Sequence, residues 1–301
     1  MVQCRETAPE IPTGPQSVTE HLSFLSGKYP KEIRFFYIGQ TLMGKAIPAA
    51  SFGNGEEVYL YVGAHHGMEH ITSSVLLAFA GDLCLSLREG KAEYGESVCE
   101  LLRGKRLTVV PMLNCDGVDL QIRAAENDGP LRERQIRMNG GKNFTRWQAN
   151  ARGVDLNHNY DAGFCEYKEI ERSLGIEGGA PTKYSGLYPE SEPEVSSLCN
   201  YIRFHTVKGI LTLHTQGEVI YPGAGSEKAA RYAAEATGYE VSSPDGTALY
   251  GGLTDWASSK LGIVSLTVEC GKGKNPLPDA IFPSLYNKLR KLLFTFPKKA
   301  E

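Results

Sequence analysis

Six short runs rich in β-branched and aromatic residues, most bounded by Gly or Pro, alternate along this chain with runs of helical spacing. The strand-like runs are Ile33–Ile38, Ala46–Phe52, Val58–Val62, Leu107–Met112, Gly209–His214 and Val264–Glu269. The helical runs are His70–Arg88, Glu192–Phe204, Glu227–Thr237, Leu253–Leu261 and Pro278–Phe294. Such alternation predicts an α/β fold, a twisted sheet with helices on both faces. The first two strand runs are close enough for a hairpin, so the sheet is expected to be mixed rather than purely parallel. Thr72 and Ser73 are placed to open the first helix. Ser191 is placed to cap the second, with Glu194 completing a capping box. At 301 residues and 41% hydrophobic, the chain can bury a large core. The expected organisation is one domain over residues 31–301, with residues 1–30 as a lead-in packed on it. The segment Asp128–Glu190 is long, rich in Gly, Arg and Asn and weakly periodic, which reads as a functional surface region.

Composition narrows the partners. A net charge of −3 with scattered Lys and Arg favours neither nucleic acid nor a membrane surface. No run approaches the roughly 20 apolar residues of a membrane helix, and the first residues lack the apolar core of a signal peptide. The seven Cys are odd in number and none forms a C-x-x-C pair. Reduced thiols in a cytoplasmic protein are the expectation, and a thiolate zinc site is disfavoured.

The segment from Tyr61 to His70, YVGAHHGMEH, says most about chemistry. An apolar strand ends in Gly63, and three His and one Glu follow within six residues before a helix begins. His66 and Glu69 are three apart, so one helical turn brings them to one face. His65 with Glu69, and His66 with His70, are i,i+4 alternatives that the spacing leaves open. The H-E-x-x-H arrangement is absent. His214 ends the apolar run from Gly209 and supplies a third candidate ligand. Three protein ligands with an open fourth position describe a catalytic zinc site. Glu269 ends another apolar run, where a carboxylate needs something to hold it. Beside a zinc site it can take a proton from water and return it to a leaving nitrogen. Each of these residues, taken alone, is also compatible with an ordinary polar group at a strand end.

The order and spacing of five segments resemble the zinc carboxypeptidase family. They are His66-Gly67-Met68-Glu69, Asp155-Leu156-Asn157-His158-Asn159, His214, Gly251–Trp256 and Glu269. A closer resemblance is to the bacterial branch that cleaves γ-D-glutamyl-diaminopimelate bonds in cell-wall peptides. It rests on His158 where the wider family has Arg, on His214–Glu218, and on Gly273–Pro278. The resemblance implies a mixed sheet of roughly eight strands and one Zn2+ on His66, Glu69 and His214, with Glu269 as the general base. It also implies an Arg shortly before the D-L-N segment as the oxyanion cation, with Arg152 preferred over Arg146. Asn157 and His158 fall where substrate carboxylate is held, although His is a weaker clamp than Arg. Thr254 and Asp255 fall where the side-chain pocket is shaped, and Asp255 is equally placed to cap the following helix. Tyr250 lies near the family's mobile Tyr, several residues out of register.

The function these readings imply is zinc-dependent hydrolysis of an amide bond in a small peptide, a muropeptide fragment being favoured. The alternatives are a carboxypeptidase on ordinary peptides, a zinc amidase removing an N-acyl group, and a non-catalytic binding module.

Overall fold

The computed structural model describes residues 14–123 and 129–300. Cys4, residues 1–13 of the expected lead-in, and Asp128 lie outside the described residues. The chain opens with α1 (Pro15–Lys28), then runs through β1 (Ile33–Gln40), β2 (Ala46–Phe52), β3 (Glu57–Val62), α2 (Ile71–Glu89) and β4 (Lys105–Val110). Helices α3 (Cys115–Ile122), α4 (Arg132–Asn139), α5 (Phe164–Ser173) and α6 (Pro193–Arg203) follow. The remainder is β5 (Thr206–His214), β6 (Val219–Pro222), α7 (Glu227–Thr237), β7 (Glu240–Val241), α8 (Leu253–Leu261), β8 (Val264–Glu269) and α9 (Phe282–Lys299).

The eight strands form one sheet in the order β1-β2-β4-β3-β5-β8-β6-β7. Its centre, β4-β3-β5-β8, is parallel. β1 and β2 make the expected antiparallel hairpin, β2 is antiparallel to β4, and β6 is antiparallel to β8. Successive side chains of a strand point to opposite faces, and β3 shows what each face buries. Tyr59 and Tyr61 join the core shared with α1, α2, α7 and α9, whereas Val58, Leu60 and Val62 join the core shared with α6 and α8. Complete burial of side chains of this size stabilises by about 1.5–3 kcal/mol each. The two cores therefore fix the register of the central strands, and with it the positions of their C-terminal ends.

Within the segment read as a lead-in, Pro15–Lys28 is a helix whose Val18, Leu22 and Leu25 enter the core. Two expectations are corrected. Ser191 does not cap α6: the N-cap is Glu192, the Ser191 hydroxyl donates to Glu192, and Glu194 accepts instead from the Leu42 amide. Finally, α2 is long and apolar enough to span a membrane. Its apolar character has a different cause, since Val75, Leu76, Phe79, Ala80 and Leu83 all pack into the core.

Candidate active site

Three parallel strand ends place the polar residues. His214 ends β5 and Glu269 ends β8, and the two are direct partners in the parallel register. The loop after β3 brings His66 and Glu69 to the same edge through a single 3-10 turn, Gly67–Glu69. Gly67 is needed there for space, because a Cβ would lie 2.6 Å from the Gly117 carbonyl oxygen and 2.9 Å from that of Trp147. Its amide donates to the Gln148 carbonyl at 2.9 Å. The Asn114 side chain stitches the same loop to the same segment, donating to the carbonyls of His65 and Ala149.

His66, Glu69 and His214 converge and are all buried. His66 Nδ1 lies 3.0 Å from Glu69 Oε1, His214 Nδ1 lies 3.2 Å from Glu69 Oε2, and the two Nδ1 atoms are 3.3 Å apart. Four ligands set tetrahedrally around zinc at 2.0–2.1 Å are separated by about 3.3–3.4 Å. The donor spacing therefore fits one zinc ion. Two imidazoles and a carboxylate are also donors that zinc accepts. Across the imidazole, His66 Nε2 faces Asp155 Oδ1 at 3.1 Å. With an ion bound at Nδ1, Nε2 would keep the ring's remaining proton and donate it to Asp155, whose carboxylate can only accept.

Glu69 is steadied from two directions. It accepts from the Thr215 amide at 3.2 Å and from Asn275 Nδ2 at 3.3 Å. Burial pushes its carboxyl up, but the neighbouring His66 and His214 outweigh burial and hold it down at about 2. Burial disfavours charge on His66 as well, and here Glu69 and Asp155 prevail and raise it well above the ordinary imidazole value. Zinc binding has to displace that proton. Glu269 behaves oppositely. Burial, reinforced by the Glu69 charge, pushes it up to about 8, and a bound dication would draw it down again. The other two imidazoles of the first cluster are engaged elsewhere. His65 Nε2 pairs with the Tyr160 hydroxyl at 2.9 Å, and His70 Nε2 faces Asp279 at 3.4 Å.

The trio and Glu269 line a cleft of about 280 Å³, with Gln148, Asn157, His158, Lys183, Thr254 and Asp255 among its walls. His158 is buried and stacks on Tyr167 at 3.8 Å. Its Nδ1 faces the Tyr250 carbonyl oxygen at 2.8 Å, so Nδ1 holds the proton. Burial lowers its pKa, with Asp155 only partly opposing, so at neutral pH the ring is uncharged and Nε2 is an acceptor. Asn157 Oδ1 accepts from the Leu253 amide at 3.3 Å, which leaves its amide N–H groups for a ligand. Asp255 lines the cleft and also accepts from the Gly252 amide at 3.3 Å, closing the N-terminus of α8. Gly251 (φ 76) makes that turn possible, since a Cβ there would meet the His158 backbone at 2.7 Å.

Three sequence expectations are not met. Arg152 is not in the cleft wall; its Nε pairs with the buried Glu192 carboxylate at 3.0 Å. Arg146 is exposed and also outside the wall. Tyr250 does not line the cleft; its carbonyl oxygen accepts from His158 Nδ1, and Thr247 and Ala248 are the lining residues of that segment. The reason is common to all three. They sit in irregular backbone, where no periodicity fixes side-chain direction. Asp155, Gln148, Lys183 and Asn275 were not singled out from sequence. Asp155 stood inside a motif already noted, and a His ligand's need for a second-sphere carboxylate was the available signal.

The sheet order and the donor set define a mononuclear metal-site protein of the α/β class with its centre at parallel strand ends. The chain belongs to the zinc carboxypeptidase family, whose model matches residues 18–291. It is similar to the gamma-D-glutamyl-L-diamino acid endopeptidase 1 of Lysinibacillus sphaericus, with 31% identity over 258 residues, covering 83% of this chain and 64% of that protein. Among solved structures, bovine thrombin-activatable fibrinolysis inhibitor matches with a TM-score of 0.71 at 20% identity, covering 95% of this chain and 96% of that one. The murein-tripeptide amidase of Escherichia coli O157 matches with a TM-score of 0.56 at 19% identity, covering 90% and 95%. These likenesses to solved structures speak for the fold.

Proposed function

We propose that this chain is a zinc-dependent peptidase that hydrolyses the amide bond between γ-D-glutamate and a diamino acid, meso-diaminopimelate in cell-wall peptides. The observation that carries the reading is the convergence of His66, Glu69 and His214, with Glu269 beside them, at the ends of adjacent strands. The substrate class is supported by the similarity to the Lysinibacillus endopeptidase.

Held by these three residues, zinc supplies Lewis acidity and an acidified water. Glu269, as carboxylate, accepts a proton from the attacking water. The water oxygen thereby forms the new C–O bond, and Glu269 then returns that proton to the nitrogen as the amide C–N bond breaks. Asp155 keeps His66 in the tautomer that presents Nδ1. Asn157 donates to a substrate carboxylate, and the uncharged His158 accepts from an N–H. Ordinary carboxypeptidase action is disfavoured because, among the described residues, no Arg lines the cleft to clamp a C-terminal carboxylate bidentately. A cytoplasmic location is part of the proposal, and the six free thiols among the described residues support it.

The test is a panel of muropeptides and plain peptides analysed by mass spectrometry, run with the wild type and Glu269→Gln. Cleavage is expected at the γ-D-glutamyl bond. The variant should keep its zinc and lose about 10²–10⁴-fold in rate. Cleavage of plain peptides alone ends the substrate reading, and full activity in Glu269→Gln ends the mechanism.

A further inference from the structure

A γ-linked glutamyl residue differs from an ordinary peptide unit in one charged group. Its side-chain carboxyl forms the scissile amide, so its α-carboxylate stays free on the acyl side of the bond. A protein that selects such a bond needs a cation, or a set of donors, on that side. The expected guanidinium is absent from the cleft, because Arg152 is committed to Glu192.

Among the described residues, Lys183 is the one Lys or Arg in the cleft wall. Its backbone is tied at both ends. The Lys183 amide donates to Asp155 Oδ2 at 3.1 Å, and its carbonyl accepts from the Tyr167 hydroxyl at 3.3 Å. It sits at φ 67, a conformation that L residues seldom adopt without such support. Lys45, by contrast, is engaged with Asp116, and Lys168 with Glu171. No carboxylate among the described residues pairs with the Lys183 ammonium. Beside it, Thr182 donates to Gln148 Oε1 at 2.9 Å, and Gln148 Nε2 donates to Asp155 Oδ2 at 2.9 Å. That leaves one Gln148 N–H unspent. The wall thus includes a lysine that no carboxylate among the described residues claims, next to a fixed amide donor, its backbone hung on the carboxylate that orients His66. Its complement is an anion adjoining the reacting bond.

We propose that Lys183, assisted by Gln148, is the specificity residue that binds the free α-carboxylate of a γ-linked acidic residue on the acyl side. This rests on the functional reading above. The test compares two substrates that differ only at that group, a γ-D-glutamyl–diaminopimelate peptide and its α-carboxamide counterpart. Wild type, Lys183→Gln and Lys183→Arg are assayed as zinc-loaded enzymes.

Wild type should prefer the carboxylate by about 10–100-fold in kcat/KM, the range of a charge-assisted hydrogen bond. Lys183→Gln should lose that preference, mainly through KM, while its rate on the carboxamide stays within about twofold of wild type. Lys183→Arg should keep most of the preference. Equal cleavage of both substrates by wild type overturns the assignment and leaves the functional reading standing. So does an equal loss on both substrates in Lys183→Gln with a preference left intact. Cleavage of neither overturns the functional reading and the assignment with it.

Discussion

Replacing Asp155 by Asn isolates the part of the site that holds the ligands. The carboxylate is buried and receives four donors. Oδ1 takes His66 Nε2 at 3.1 Å and the Asn157 amide at 3.2 Å; Oδ2 takes Gln148 Nε2 at 2.9 Å and the Lys183 amide at 3.1 Å. An Asn side chain keeps one acceptor and turns the other into a donor. In either orientation two of the four donors face an N–H. Each buried donor left unmade costs about 1–3 kcal/mol, so the loss in folding stability should be about 2–6 kcal/mol. If the amide nitrogen faces His66, the imidazole also loses the partner that fixes its tautomer, and zinc affinity should fall about 10–100-fold. The assays are denaturant unfolding with zinc present and competition for zinc against a chromophoric chelator. Stability within 0.5 kcal/mol of wild type and affinity within twofold, both order-of-magnitude thresholds set well below these costs, would refute the reasoning.

Removing zinc should lower Tm by about 4 °C, and stoichiometric zinc should restore it, because an ion at 100 times its Kd stabilises the native state by about 2.7 kcal/mol. A Tm unmoved by chelation and re-addition contradicts the fit of the three donors. A separate pH effect comes from Glu194, which burial pushes up to about 7. The folded protein then binds a proton that the unfolded chain releases from about pH 4.5. Stability from this group is fully present below pH 4.5 and is lost as pH rises through 7, by about 3 kcal/mol. Glu194→Gln should flatten that part of the stability profile measured by urea unfolding between pH 5 and pH 8, and an unchanged slope would show that another group is responsible.

What the sequence made legible follows from where periodicity operates. His214 and Glu269 end apolar runs, so strand register alone carries them to one edge of the sheet. For the loop after β3, residue types limited the donors to three His and Glu69, and spacing could not choose among them. The choice is made by tertiary partners far along the chain, Tyr160 for His65, Asp155 for His66 and Asp279 for His70. The cleft wall was harder. Gln148 and Lys183 belong to irregular backbone whose course is set by carbonyl and carboxylate contacts, and neither hydrophobic pattern nor capping chemistry reveals those. Arg152 misled for the same reason. Its charge suited the role, but the buried Glu192 carboxylate claims it. Family resemblance located the segment and left side-chain direction open.

The most direct test of the account is anomalous scattering from crystals of the zinc-loaded protein, recorded at the zinc edge. One strong peak is predicted about 2.0–2.2 Å from His66 Nδ1, His214 Nδ1 and a Glu69 carboxylate oxygen, with Glu269 lining the open side. A peak elsewhere, or ligation through His65 or His70 in place of His66, would contradict it.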